Sequence, residues 1–146
     1  LEYVNEEGQR SRPVMVHRAM LGSLERFMGV LIEHFAGSMP PWLSPSQVLI
    51  IPIADRHLDK ALELKSKLAK VNIRTEIDSR NERMNSKIRQ GQRNKTPYMV
   101  ILGDKEIESE VVSVSLRTGE NLQSIYVEEF ITGIKDKIDK RAIELW

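Results

Sequence analysis

The sequence predicts an α/β fold with a mostly parallel, twisted sheet, and three observations carry that reading. Residues 48–53 and 98–102 are continuous apolar runs, the pattern of strands buried on both faces. Ile73, Thr75 and Ile77 alternate with Arg74, Glu76 and Asp78, the two-residue period of a strand. Apolar residues at helical spacing fill the stretches between and after these runs. Strands alternating with helices in this way predict one α/β domain.

Each element follows in turn. Residues 1–4 and 13–16 are short β-type runs around a polar turn at residues 5–9, where Gly8 supplies the reversal, and they read as a hairpin. Met20, Leu24, Phe27, Met28, Leu31, Ile32 and Phe35 then form one wide apolar helical stripe. Gly37 is a natural C-cap, and Pro40-Pro41 cannot continue a helix. Residues 38–45 carry Pro40, Pro41 and Pro45 and read as a stiff connection between two domains, anchored by burial of Trp42. Residues 55–70 are helical, with Ala61, Leu64, Leu68 and Val71 on one face. Residues 81–90 make a short basic helix whose apolar stripe is only Met84 and Ile88. The run at 98–102 closes on a turn at Gly103-Asp104. Residues 111–117 and 122–126 are shorter strands around Thr118-Gly119-Glu120-Asn121, and helical spacing continues from Val127 through Leu145. The domains are therefore residues 1–37, a linker at 38–45, and a βαβαβββα unit at 46–146.

Composition excludes several classes. With 146 residues the chain holds one domain, or one domain and part of another. It has no cysteine, so no disulfide scaffold, cysteine nucleophile or thiolate metal site is its own. No apolar run approaches the roughly 20 residues that cross a bilayer. The N-terminus lacks a signal-peptide pattern and begins without methionine, as in a chain cut from something longer. The net charge is only +1, yet residues 80–95 hold six cations (Arg80, Arg83, Lys87, Arg89, Arg93, Lys95) against Glu82 alone. Charge alone leaves two readings of this segment open: a polyanion contact, or a solvated helix face.

The most informative stretch runs from Arg12 to Phe27 and contains Pro13-Val14-Met15-Val16-His17-Arg18-Ala19 followed by Leu21-Gly22-Ser23-Leu24-Glu25-Arg26-Phe27. A Gly-x-x-x-Arg at a strand-to-helix junction suits ATP. Gly22 lets a flat base approach the backbone, and the planar guanidinium of Arg26 can stack on it and meet phosphate charge. By itself that spacing is a weak signal.

The wording around it resembles the third signature motif of class II aminoacyl-tRNA synthetases, and specifically the threonyl-tRNA synthetases. The resemblance runs on through residues 32–37, Pro41-Trp42-Leu43-Ser44-Pro45, Asp78-x-Arg80-Asn81-Glu82, Lys87-Ile88-Arg89 and Gly103-Asp104-Lys105-Glu106, and covers nearly the whole chain. It implies a fragment of the antiparallel-sheet catalytic domain followed by an anticodon-binding domain, with a mixed five-stranded sheet and three helices. The implied activity is ATP-dependent attachment of threonine to its tRNA through threonyl-adenylate, with Mg2+ accompanying the ATP, in a cytoplasmic homodimer. The fragment alone is expected to be inactive.

Site roles follow from the same resemblance. Gly22 and Arg26 match the ATP contact. His17, which read alone is a structural histidine, matches the last of three protein ligands to a zinc that binds threonine, the other two lying upstream. Asn81, Arg89 and Glu106 match residues that read anticodon bases or neighbouring phosphates, and Lys87 is expected to meet phosphate. Many relatives carry an arginine where this chain has Ser115, so Arg117, two residues on, is expected to take over base reading. The alternative reading is a non-enzymatic nucleic-acid-binding module on the same domain. His17, Gly22 and Arg26 argue against it.

Overall fold

The computed structural model describes residues 1–146, which divide into two compact units, Leu1–Leu31 and Ile32–Trp146. No helix is long and apolar enough to cross a membrane.

In the first unit β1 (Tyr3–Val4) pairs antiparallel with β2 (Arg10–Ser11), Tyr3 lying opposite Ser11. The hairpin is where the sequence places it, but its second strand is not 13–16. The turn sets the register. The Asn5 side chain accepts hydrogen bonds from the amides of Glu7 (3.1 Å) and Gln9 (2.9 Å), and Gly8 takes φ +77. That places Arg10 and Ser11 opposite β1, while Pro13 has no N–H to extend the ladder. Residues 12–19 have no regular structure. Helix α1 (Leu24–His34) begins later than its apolar period suggests, because Gly22 sits at φ +64 in the bend before it. None of its residues is buried, and Leu24, Phe27, Met28 and Ile32 are exposed.

The second unit is built on a five-stranded sheet in the order β4-β3-β5-β6-β7, formed by β3 (Val48–Pro52), β4 (Thr75–Ile77), β5 (Tyr98–Leu102), β6 (Val111–Leu116) and β7 (Asn121–Tyr126). β3 pairs parallel with β4 and β5, whereas β5-β6 and β6-β7 are antiparallel. The sheet is thus mixed and five-stranded, as the resemblance implies, rather than mostly parallel, as the alternation of elements alone suggests. The connections decide it. β3-to-β4 and β4-to-β5 each carry a helix, whereas β6 and β7 are joined by a tight turn that only antiparallel neighbours allow. Helices α2 (Leu58–Lys70) and α5 (Val127–Asp139) cover one face, where Val48, Ile50, Val100 and Val114 meet Leu64, Leu68, Phe130 and Ile134. Helix α3 (Met84–Arg93) lies on the other face, and Gly91 permits the approach: a Cβ there would stand 2.7 Å from Met99 Sδ and 3.1 Å from Leu49 Cδ2.

Three local expectations change. Residues 103–108 are not only a turn but include a short helix, α4 (Asp104–Glu108), started by Gly103, whose N–H donates to Glu106 Oε2 at 3.1 Å. Helix α5 stops at Asp139, because Arg141 takes φ +52 and Ala142 N–H bonds back to Lys137. The tail then returns to the core. Leu145 is buried, its carbonyl accepts from Tyr98 Oη at 2.6 Å, and Trp146 stacks on Phe130.

Residues 38–45, expected as a linker, fold with the second unit. Arg74 Nη2 donates to the carbonyls of Trp42 (3.1 Å) and Ser44 (2.7 Å). The fully buried Gln47 bridges the Pro41 carbonyl (2.9 Å) and the Arg74 amide (2.8 Å). Trp42 is half-buried, with the Arg141 guanidinium 5.9 Å over its ring. Prolines stiffen this strap, and Gln47, Arg74 and Arg117, beside the ends of β3, β4 and β6, hold its carbonyls.

Candidate nucleic-acid interface

The chain leaves β3 at Pro52 and the β4 edge at Asp78, and α3 starts at Met84, so three backbone segments converge at the carboxyl ends of two parallel strands. A cavity of about 340 Å³ opens there. Such crevices are where open α/β sheets bind ligands. Its apolar wall is Pro52, Ile53 and Leu58, and its polar side is Asp55, Ser79, Arg80, Asn81, Glu82 and Lys87.

An ion-pair clasp shapes the loop over it. The buried Asp78 accepts from Arg80 Nε (2.9 Å) and Nη2 (2.6 Å), and also from the Arg80 amide (3.1 Å). Those hydrogen bonds from Arg80 hold the Asp78 carboxyl below the usual carboxylate range, against the opposing effect of burial. Arg80 Nη1 reaches Glu82 at 3.3 Å, and Glu82 accepts from Ser86 Oγ at 2.8 Å, which ties the loop to α3. Asn81 is left exposed at the cavity mouth.

The predicted site residues separate. Asn81 and Lys87 share the cavity. Lys87 is not the surface cation expected for phosphate: it is only 4% exposed, and Nζ donates to the carbonyls of Asp78 (3.0 Å) and Pro52 (3.5 Å). Arg89 is exposed on α3, two residues and so about half a turn away from Lys87. Arg83, Arg93 and Lys95 are exposed as well, giving α3 and its ends a row of free cations. Glu106 lies half-buried, with Oε2 on the Gly103 amide and Oε1 accepting from Ser113 Oγ at 2.9 Å. Ile53, a cavity wall, covers Gly103 and links the two places.

Arg117 does not stand free to replace an arginine at 115. Its Nη1 donates to the Met39 carbonyl of the strap and to Lys95 O at 3.4 Å, while Ser115 is buried beside Met99. The sequence reading missed the Asp78–Arg80 clasp and a second one, in which Asp104 joins Arg56 (2.5 Å) and the buried His57 (2.9 Å). His57 Nδ1 accepts from the Ala54 amide, so Nε2 carries the proton and donates to Asp104. Arg56 first, then His57, holds the Asp104 carboxyl far below its ordinary range. Asp78-x-Arg80 was visible as spacing, but the 47-residue separation of His57 and Asp104 was not.

In the first unit Gly22 precedes α1 and the exposed Arg26 lies in its first turn. The Arg26 amide donates to Ser23 Oγ, its cap, at 3.4 Å. His17 is exposed in irregular chain, and no three His, Cys, Asp or Glu side chains gather anywhere to hold a metal. One histidine does not make a zinc site, so the residues of this chain do not by themselves fit a zinc.

Comparison with known proteins agrees with the geometry. The anticodon binding domain family matches residues 47–137. Threonine–tRNA ligase of Sulfurihydrogenibium sp. is 49% identical over 97% of this chain, and that of Clostridioides difficile is 48% identical over 95%. The chain spans 22% of the length of each. The crystal structure of the RNA binding domain of threonyl-tRNA synthetase from Cryptosporidium parvum matches 99% of the chain and 36% of its own, at TM-score 0.73 and 28% identity. A mixed sheet with a basic helix beside a cavity at its strand ends, matched over residues 47–137, places this chain in the anticodon-binding domain family.

Proposed function

We propose that this chain is the C-terminal part of a threonine–tRNA ligase, and that its second unit reads the anticodon loop of a threonine tRNA. One observation carries the reading: α3, which presents exposed cations, also sends Lys87 into a base-sized cavity at the strand ends, in a domain of this family. Arg83, Arg89, Arg93 and Lys95 neutralise loop phosphates, and Asn81 meets a base edge at the cavity mouth. Glu106, held by Gly103 and Ser113, keeps free lone pairs for an exocyclic amine.

In the parent enzyme, residues 1–37 belong to the catalytic domain. Gly22 and Arg26 contact ATP, and His17 is one zinc ligand completed by residues outside this chain. Threonine, ATP with Mg2+ and a second subunit are partners of that whole, working in the cytoplasm. The exposed apolar face of α1 supports the assignment, since a helix of that composition needs a covering surface.

The test uses the chain itself. It is expected to bind a threonine tRNA anticodon stem-loop better than a loop-scrambled copy. Four phosphate-facing cations predict a log–log salt slope of about −3 at about 0.7 per contact. Equal affinity for the scrambled loop refutes anticodon reading.

A further inference from the structure

Lys87 sits where a phosphate cannot easily reach it. It is 4% exposed, on the inner side of α3, with its ammonium between the ends of β3 and β4. No carboxylate pairs with it, because Asp78's is taken by Arg80. A buried cation without an ion-pair partner is costly to keep. An ammonium has three N–H donors. Two are met, by Asp78 O at 3.0 Å and weakly by Pro52 O at 3.5 Å, and the third has no partner in the protein. The same residue lines the 340 Å³ cavity, which has an apolar wall of Pro52, Ile53 and Leu58 and a polar side that includes Asp55, Asn81 and Glu82.

We propose that Lys87 is a specificity-determining residue whose free N–H selects a keto oxygen on a nucleobase entering this cavity. The inference rests on the anticodon-reading proposal and names the chemistry of one subsite. The apolar wall suits a flat ring, and the Asp55 and Glu82 carboxylates in the same lining oppose a phosphate. The ammonium only donates, so it donates to guanine O6 or uracil O4 and opposes the amino group of adenine or cytosine at the same place. The buried site makes a mismatch costly, since a donor facing a donor leaves both unsatisfied. Asn81, able to donate and accept, can complete the contact with either kind of base.

The experiment measures binding of the 146-residue chain to the threonine tRNA anticodon stem-loop. In one set of loops each guanine is changed in turn to 2-aminopurine, which lacks the 6-oxygen, and each uracil to 2-pyrimidinone, which lacks the 4-oxygen. One such deletion is expected to weaken binding about tenfold or more, the scale of a good base contact. Lys87→Met keeps length and burial but has no donor. It is expected to weaken the unmodified loop by a similar factor, to abolish the penalty at that one base, and to leave the salt slope within about 0.3. If Lys87→Met weakens every loop equally and lowers the slope by about 0.7, the residue is a phosphate contact and the proposal fails. If it binds all loops as the parent does, the residue is only a bolt between strand ends and the proposal fails. Should the variant not fold, the RNA-side deletions decide alone: no single oxygen worth more than twofold overturns the inference. If the unmodified chain prefers no cognate loop, it is the anticodon-reading proposal that falls, and this one with it.

Discussion

Arg117 places a charge among carbonyl groups. Its Nη1 is held by Met39 and Lys95, and the guanidinium is half-buried beside Tyr98, whose hydroxyl is itself pushed up by burial. Bonds from a charged donor to the backbone are worth about 1.5–3 kcal/mol. Arg117→Ala is therefore expected to lower unfolding free energy by about that amount, read by denaturant titration of tryptophan fluorescence, and to leave loop discrimination unchanged. Lost discrimination at full stability would mean that the guanidinium leaves the carbonyls for RNA. Asp78 makes a second residue-scale prediction, with a definite sign. Its folded carboxyl lies below the ordinary range because of Arg80, so the unfolded chain binds the proton more readily. The clasp's contribution is complete above about pH 4 and is lost as pH falls through the depressed folded value. Asp78→Asn should flatten the acid limb of the stability–pH curve without reversing it, because Asp104, depressed in the same direction, still contributes. An unchanged acid limb would remove the clasp from the account.

At the scale of elements, close approach of α3 to the sheet positions the interface. Gly91 is the point of contact, with Met99 and Leu49 beneath it. Leucine is a good helix former, so Gly91→Leu isolates overpacking from propensity. It is expected to cost about 1–3 kcal/mol and to weaken stem-loop binding as α3 lifts from the strand ends. Binding that survives a measured loss of stability would show that α3 does not set the site. Elements with a strong local period were legible in the sequence: β5 appears where its apolar run stands, and α2 follows its stripe. Those fixed by competition were not. β2 fell at Arg10–Ser11 because the Asn5 turn set the register, and α5 ended early because Arg141 adopts a left-handed cap that no glycine announced. The candidate site was legible as residue types and only partly as geometry. Lys87 and Arg89 are equally basic on paper, yet one faces the sheet and the other the solvent.

At the scale of the whole chain the question is where the folded unit begins. The hydrophobic core draws no residue from Leu1–Leu31, and all of its members lie between Val48 and Leu145. Removing residues 1–31 is therefore expected to leave the unfolding free energy of the remainder within about 0.5 kcal/mol, as changes remote from core features do. It should also raise solubility, since exposed Val14, Met15, Val16, Met20 and Leu24 go with the segment. A cut at residue 45, where composition alone draws the boundary, is different. It strips Arg74 of the Trp42 and Ser44 carbonyls, Arg117 of Met39, and the buried Gln47 of Pro41. The arginines then gain water. Gln47 is at 0% exposure beside the start of β3 and loses its acceptor where water reaches it poorly. Unmet polar groups of this kind cost about 1–3 kcal/mol each, and the freed arginines lose less. The 46–146 piece should thus be about 2–4 kcal/mol less stable than 32–146. Denaturant midpoints of the two pieces, compared at equal m-value, decide it. Equal midpoints would return the strap to the status of a linker. A gap of the expected size makes residues 38–45 part of the domain that carries the basic helix and its cavity.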